Sequence, residues 1–593
     1  MPPKGQKAKK AIKEETNDQN LTQSPLLTTT KIPKRPFFRT VKYQNINQIQ
    51  KVRCKLWKIS RCEAHPFRVL RYRPPPQGGF FGRNELIDES LPLYSMHTSP
   101  TLKKSLKHVK KVKAVIDSPD WPFQKFFSRS WKLDSFDFQC FRLDINEKIL
   151  RNLINPRNIK QLSIGFQIHY LSYDRGKLSL LPFIYSKLSK IIERFVNLRK
   201  MSLDIPYEDV KRSIRGTKLQ KLEKLYINNN TNTDIFDHKS FQRLKNLETL
   251  CLPKEIRFGS DPIDIISALP YLEKLRKLRV NTRFLRDTEK TFLSIVKCSQ
   301  LELLYVDFYE KEIFPFNELL KLKNLKSLFL NEPHYYDRRQ QPLGNSFPPF
   351  EKLERIEFYT PPISFPIENL QENLWKNPNL KEMEIQLGFK DLAMFFKDDF
   401  EFSLHRFSLH VHYIIPPYGK NLKALTDFLK KQKQLKVLEL GFSELYQDVA
   451  EATFKVLGSL TSLESFKFFF EKSGEMQDLK FGMLKDTFAK LPNLKRVTLL
   501  TKGIKTNSST LSTLITGFMK LKNLEKFVYS ANFHQQITES VIQKFVEFVK
   551  SIRHIKSFKF VIDGLSEESI KELKDIVYTK NFLSKNEELL LSQ

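Results

Sequence analysis

His410 and His412 stand two apart in Phe407-Ser-Leu-His-Val-His-Tyr413. On a strand that spacing puts both imidazoles on one face, and two neutral rings plus a third ligand make a metal site. Glu384 is the acidic side chain an adjacent strand could add, but no ligand triad is legible, so the pair reads as a contact patch that responds to pH. Cys54, Cys62 and His65 form the other soft cluster, and a seven-residue gap followed by one histidine lacks the paired Cys-x-x-Cys spacing of a tetrahedral zinc site. The adjacent carboxylates Asp398-Asp399 and Glu567-Glu568 suit solvated turns or helix starts, where they favour the helix dipole. The phosphate-binding, zinc-protease, nucleophile-elbow and kinase motifs do not occur. Glycine, 18 of 593 residues, is about half as frequent as usual, so backbone loops that cradle phosphate are scarce. No catalytic, cofactor-binding or metal-binding residue is assigned, and the chain reads as a non-enzyme.

Charge is the second feature with chemical content. The formal net charge is +34, and residues 1–113 hold 25 Lys+Arg against 7 Asp+Glu, so under a fifth of the chain carries more than half the excess. Lys7, Lys9 and Lys10 open this arm, and Lys103, Lys104, Lys107, Lys110, Lys111 and Lys113 close it. Read as a helix, 102–113 carries Leu102, Leu106 and Val109 as one apolar stripe amid lysines. Such an arm suits nucleic acid, an acidic partner or an anionic surface. An AT-rich codon bias, which also accounts for 50 Phe, explains part of the same excess without any partner.

Five scattered cysteines give no disulfide framework and point to a reducing, intracellular compartment, cytoplasmic or nuclear. The opening MPPKGQKAKKAIKEET has no apolar core of a signal peptide. The most apolar stretch, Leu178 to Tyr185, is interrupted by Pro182 and is far short of the roughly 20 residues that span a bilayer.

The elements that would position these residues are written in a repeated sentence. Two apolar anchors three apart lead, after two more residues, into apolar-x-apolar: Leu219-Gln-Lys-Leu-Glu-Lys-Leu-Tyr-Ile227, Leu244-Lys-Asn-Leu-Glu-Thr-Leu-Cys-Leu252, Leu322-Lys-Asn-Leu-Lys-Ser-Leu-Phe-Leu330, Leu491-Pro-Asn-Leu-Lys-Arg-Val-Thr-Leu499 and Leu521-Lys-Asn-Leu-Glu-Lys-Phe-Val-Tyr529. Taking the first residue of each apolar-x-apolar pair as a marker, 15 markers run from Leu162 to Phe558 at spacings of 24 to 39. An apolar-x-apolar stretch is a short strand with alternate side chains inward, and stacking one strand per unit buries a face that no unit could bury alone. Between strands, Phe481, Leu484, Phe488 and Leu491, then Ile542, Phe545, Val549 and Ile552, form single helical stripes whose aromatics belong to the core.

This pattern resembles the leucine-rich repeat family, and the longer later units look like its ribonuclease-inhibitor-like, helix-containing class. The resemblance implies an α/β solenoid, a horseshoe with a parallel sheet on its concave face and a helical or irregular convex side, of about 15 repeats. The family's loop-closing asparagine is present at Asn230, while Glu255 and Pro333 stand at the equivalent positions of other units. The expected layout is a basic disordered tail at 1–35, a basic capping or small mixed domain at 36–150, leucine-rich repeats at 151–563 and a C-terminal capping helix at 564–593, with Ser566 as its N-cap.

If the markers point inward, the residues between them line the concave face: Tyr226, Cys251, Arg279, Tyr305, Phe329, Glu357, Glu384, Ser408, Glu439, Lys467, Thr498, Val528 and Lys559, joined by His410. A nucleic-acid channel would be uniformly basic, whereas this row is aromatic and then acidic at its centre. The expectation is a protein-binding scaffold that uses Tyr226, Arg279, Tyr305, Phe329, Glu357, Glu384, Ser408, His410, Glu439 and Lys467. The alternatives are a nucleic-acid-associated component binding polyanion through residues 1–113, and a substrate receptor of a ubiquitin ligase, for which no Leu-Pro-x-Glu opening precedes residue 150. Oligomeric state stays open.

Overall fold

The computed structural model describes residues 69–72, 111–116, 134–140, 156–166, 192–204, 218–227, 238–252, 263–281, 288–307, 316–331, 349–359, 374–396, 403–412, 414, 419–473, 482–533, 538–552, 555–563 and 589–592. The chain divides into two units, 1–66 and 67–593, and every described residue belongs to the second.

Among the described residues nineteen strands form one sheet in which each pairs with the next in sequence, always in parallel. They are β1 (Val69–Tyr72), β2 (Lys111–Ile116), β3 (Ser135–Cys140), β4 (Gln161–Phe166), β5 (Lys200–Asp204), β6 (Lys224–Ile227), β7 (Thr249–Cys251), β8 (Lys277–Asn281), β9 (Leu303–Asp307) and β10 (Ser327–Asn331). Then follow β11 (Arg355–Phe358), β12 (Glu382–Gly388), β13 (Arg406–His412), β14 (Val437–Leu445), β15 (Ser465–Ser473), β16 (Arg496–Thr506), β17 (Lys526–Phe533), β18 (Ser557–Asp563) and β19 (Leu589–Ser592). The register aligns the 15 markers in one row, since Leu162 pairs with Met201, Met201 with Leu225, and so on to Phe527 with Phe558. Markers and the apolar residues two positions later are all buried, none more than 5% exposed.

Each segment folds this way because no other arrangement hides its apolar anchors. The paired anchors before each strand, such as Leu219 and Leu222 or Leu244 and Leu247, close a tight turn in which the second anchor's N–H donates to the first one's carbonyl, at 2.9 Å in both. The carbonyl two residues before a marker then accepts from two N–H groups of the next unit: Arg199 O takes Glu223 N at 2.8 Å and Lys224 N at 2.9 Å. Unit stacking therefore begins one turn before the strands.

Repeat length sets the helical side. Early units, spaced 24 to 28, carry helices of four to eight residues, such as Phe316–Leu319 and Thr288–Ile295. From Gly419 onward the spacings of 28 to 31 admit Gly419–Lys431, Gln447–Leu457, Gly482–Ala489, Ser508–Phe518 and Glu539–Ser551. The stripes Leu484/Phe488 and Ile542/Phe545/Val549 are buried as their spacing predicts, and Phe481 lies outside the described residues. Asn507 caps Ser508–Phe518 by accepting from Thr510 N at 2.8 Å.

The sheet extends past the span of repeats read from sequence. β1, β2 and β3 precede residue 151 and continue the marker row through Phe136, Val112 and Leu70, and β19 extends it beyond 563. The helical reading of 102–113 is corrected at its described end, because Lys111, Val112 and Lys113 are strand residues of β2. The sequence held the signal: Leu106 and Val109 are three apart, as anchors are, and precede Val112-x-Ala114 in the same cadence. Residues 1–35, Asn230 and the expected helix from Ser566 lie outside the described residues.

Two ladders lock neighbouring units along the edge where strands begin. The asparagine in Leu-Lys-Asn-Leu and its equivalents donates from Nδ2 to a turn carbonyl of the preceding unit: Asn197 to Arg157 O at 2.8 Å, Asn246 to Gln220 O at 2.7 Å, Asn324 to Ser299 O at 3.1 Å, Asn379 to Glu351 O at 2.7 Å and Asn523 to Pro492 O at 2.9 Å. Where lysine holds that position it donates to the asparagine before it, as Lys274 does to Asn246 Oδ1 at 2.6 Å. Two positions from each marker, charges alternate from strand to strand through Arg276, Glu302, Lys326, Glu354 and Lys381, and again through Lys436, Glu464, Lys495, Glu525 and Lys556. Glu302 sits 3.6 Å from Arg276 and 3.4 Å from Lys326. Exposed pairs of this kind contribute about 1 kcal/mol or less each, so their effect is to fix register more than to raise stability.

Among the described residues the first anchor is polar in two units. Asn377 is fully buried and accepts Phe350 N at 2.6 Å, and Gln432 accepts Leu404 N at 2.8 Å. Each thereby satisfies a buried backbone donor of the preceding unit, which is why an amide is tolerated where leucine is the rule.

Candidate functional site

Strand alternation puts three columns of side chains on the open sheet face, opposite the helices. The middle column is the row predicted from sequence, and the register confirms its alignment: Tyr226, Cys251, Arg279, Tyr305, Phe329, Glu357, Glu384, Ser408, Glu439, Lys467, Thr498, Val528 and Lys559 are successive neighbours. The outer columns were missed. One holds the residue just before each marker, and the other the residue three after it.

Across β8 to β12 the three columns interlock. The Arg279 guanidinium lies over the Tyr305 ring, 4.1 Å from its centroid, and reaches Asp307 at 3.4 Å. Asp307 also accepts from Asn331 Nδ2 at 2.5 Å. Tyr305 and Phe329 stack with centroids 5.9 Å apart and planes at 23°. Arg355 covers Phe329 at 5.2 Å, pairs with Glu357 and lies 3.4 Å from Glu382. Tyr359 donates to Glu357 Oε2 at 3.0 Å. The result is an alternation of guanidinium and ring in which each aromatic face is held by a cation of the adjacent strand.

Burial corrects two of the predicted contact residues. Glu357 is 4% exposed and Ser408 6%, so neither presents its side chain to a partner. Glu357 lies beneath Arg355 and Tyr359, and its role is to hold them. Tyr226, Arg279, Tyr305, Phe329, Glu384, His410, Glu439 and Lys467 are half-buried, open at one side. Burial, followed by the nearby Asp307 charge, pushes the Tyr305 hydroxyl well above its ordinary range, so it stays protonated as a donor. Burial and the Glu384 and Glu357 carboxylates do the same for Tyr359.

Glu384 is the electrostatically strained member. Burial, then the Glu357 and Glu439 charges, raise its pKa, while a hydrogen bond from Tyr359 and the charge of Arg406 act the other way. It faces Glu357 from β11 and Tyr359 just after it, Arg406 and Ser408 from β13 and Glu439 from β14, with Glu382 on its own strand. A carboxyl whose native pKa is raised binds its proton more tightly folded than unfolded. Its contribution to stability is therefore present below the ordinary 4.5 and lost as pH rises through the native value. Glu384→Gln keeps an acceptor for Tyr359 and removes the charge, so the variant exceeds the native protein in urea midpoint at neutral pH. That advantage disappears well below pH 4.5, and paired urea titrations at the two pH values read it.

Towards β15 the face becomes histidine-rich and aromatic. His410 and His412 share one face as predicted, with ring centroids 4.3 Å apart, and His412 contacts Gln386. Phe469 lies 5.3 Å from His410 and beneath Lys467 at 4.7 Å, and Lys467 pairs with Glu439. Gly441, on the strand between, leaves room for that ring, because a Cβ there would run into it. Among the described residues no group of three His, Cys, Asp or Glu side chains is arranged to hold a metal. Cys54, Cys62 and His65 lie outside them, as do Lys7, Lys9, Lys10, Lys103, Lys104, Lys107 and Lys110, while Lys111 and Lys113 occupy positions on β2.

Counted over β9 to β14, the three columns hold Asp307, Glu357, Glu382, Glu384 and Glu439 against Arg355 and Arg406. Basic residues flank this block: Lys200, Lys224, Lys277 and Arg279 before it, and Lys467, Arg496, Lys526 and Lys559 after it. Arg355, Tyr359 and Phe469 are the working residues that the sequence reading missed. Extending the same alternation one step to either side of the middle column finds all three.

No protein-family model matches the chain, and no curated protein matches it. Among solved structures the chain is similar to one described as "Crystal structure of mouse RP105/MD-1 complex", at 14% identity and a TM-score of 0.32, over 84% of this chain and 77% of that one. The repeat, the one-strand-per-unit parallel sheet and the helices on its other face define an α/β leucine-rich-repeat solenoid. Among the described residues no helix is long and apolar enough to cross a membrane.

Proposed function

We propose that the protein is a non-catalytic interaction scaffold whose open sheet face, over β8 to β15, binds a protein segment that presents basic and apolar side chains. The observation that carries this reading is the acidic and aromatic block at the centre of the face. Three half-buried carboxylates, Glu382, Glu384 and Glu439, stand there against Arg355 and Arg406 with Asp307 and Glu357 buried beneath, and Tyr305 and Phe329 form a stacked, half-exposed pair pre-positioned by Arg279 and Arg355. Rings held in one rotamer lose little entropy on binding, and aromatic anchors of this type dominate interface energetics. The partner's cations would meet Glu384 and Glu439, and its apolar groups the rings.

A photo-crosslinking amino acid placed at Ser327, on the open face beside Phe329, and at Met519, on the helical side, tests the assignment in full-length protein. The expected result is a discrete, nuclease-resistant protein adduct from Ser327 that is absent from Met519 and absent when Tyr305 and Phe329 are both alanine. Adducts that form equally from both positions, or that vanish with nuclease, would sink the reading.

A further inference from the structure

A pocket of about 410 Å³ opens where β3, β4 and β5 begin, lined by Asp134, Arg157, Asn158, Lys160, Asn197, Arg199 and Lys221. Among the described residues its lining holds four cations and one carboxylate. The scaffold of the pocket is the asparagine ladder: Asn197 donates to Arg157 O at 2.8 Å and accepts from Lys221 Nζ at 2.7 Å, which fixes both neighbours.

The charge row explains why this place differs from the rest of the edge. Elsewhere among the described residues of the row each Lys or Arg stands next to a carboxylate or His405, not to another Lys or Arg. Among the described residues Lys160 and Arg199 are the one pair of Lys/Arg side chains in that row on neighbouring strands, joined through Arg199 N to Lys160 O at 2.7 Å. Their carboxylates come from the units on either side, Asp134 in the pocket lining at 3.8 Å from Lys160 and Glu223 at 3.0 Å from Arg199, and among the described residues no carboxylate stands between the two cations. Arg157 is exposed, and among the described residues its guanidinium makes no ion pair or hydrogen bond. Among the described residues a break in the compensated row, a guanidinium beside it without an ion pair, and a cavity at the break coincide.

We propose that this pocket is an anion site for a small polyphosphorylated molecule, separate from the open face and independent of the function assigned to it. Guanidinium and ammonium groups converging on one cavity match phosphate oxygens, with arginine supplying bidentate geometry. The volume lies in the range of small-molecule sites. Among the described residues the lining contains no aromatic or aliphatic side chain on which a base could stack, which favours a phosphate-dense small anion over a nucleic-acid strand.

The test titrates sodium tripolyphosphate into full-length protein by calorimetry at about 0.15 M ionic strength, where weak surface attraction is screened. Three proteins are compared: native, Arg157→Ala/Lys160→Ala, and Lys495→Ala/Lys556→Ala, which removes two cations from the compensated part of the same row. Since the altered side chains are exposed, all three fold, and matching thermal melts verify it. The expected result is one saturable site in the native protein, at least tenfold weaker in the first variant and unchanged in the second. A parallel titration with a single-stranded RNA decamer separates the ligand classes: its affinity is to be insensitive to Arg157→Ala/Lys160→Ala. No saturable site, equal weakening in both variants, or an RNA affinity that falls with the pocket variant while tripolyphosphate does not bind, each overturns the proposal.

Discussion

Phe527→Ala lowers the unfolding free energy by about 3–5 kcal/mol, the range for truncating a buried phenylalanine in a packed core. The site justifies the upper part of that range. Phe527 is fully buried and touches rings from both adjacent units and from two helices: Phe518 at 4.8 Å, Phe548 at 5.3 Å, Phe558 at 5.3 Å and Phe560 at 6.4 Å between centroids. Those neighbours are themselves pinned, Phe545 against Phe560 at 4.0 Å and Phe488 against Phe518 at 5.5 Å, so they cannot collapse into the vacated space without breaking their own contacts. In a stack where each unit touches only its neighbours, the loss stays local and splits the molecule's cooperativity. Hydrogen exchange monitored by mass spectrometry reads this: amides of β16 to β18 and of Ser508–Phe518 and Glu539–Ser551 exchange much faster, while those of β4 to β10 keep native protection. Phe527→Leu, which retains most of the volume, costs less than half as much. A uniform acceleration across the whole sheet would mean that the solenoid unfolds as a single unit.

How far the sequence led depends on what each position is asked to do. Burial of one anchor has a period and a residue type, so markers from Leu162 to Phe558 were legible, as was the middle column they imply. Positions that serve the stack without being apolar left weaker marks. Asn246, Asn324 and Asn523 recur in Leu-Lys-Asn-Leu, and the repeat was visible, but only the register shows that the amide reaches back to a carbonyl of the preceding unit. Asn377 and Gln432 break the anchor rule and read as degeneracy until the backbone donors they satisfy are seen. The site divides the same way. Tyr305 and Phe329 were found by alternation, whereas Arg355 stands in an adjacent column and acquires its role by folding over a ring of the previous strand. Glu357 shows the opposite error, a charged residue assumed to be open because it is charged, yet buried because an arginine and a tyrosine close over it.

Tyr305→Ala together with Phe329→Ala weakens binding of the partner by at least a hundredfold while leaving the solenoid folded. Hot-spot aromatics contribute about 2 kcal/mol or more each, roughly a thirtyfold change per ring. The two losses are not independent, since each ring is the other's stacking neighbour and each holds a guanidinium. With Tyr305 gone, Arg279 keeps Asp307 but loses its ring, and with Phe329 gone, Arg355 keeps Glu357 and Glu382. The arginines therefore stay on the sheet, and the damage is confined to the surface presented to the partner. The single variants are expected to sum to more than the double, because either one already releases the stack. Binding should change only mildly between low and physiological salt, which separates a ring-anchored interface from attraction between the basic flanks and a polyanion. Surface plasmon resonance on the crosslinked partner, with all four proteins of the double-mutant cycle, measures both quantities. A double variant that binds as tightly as native protein would move the interface away from β9 and β10, and a steep salt dependence would assign it to the basic flanks instead.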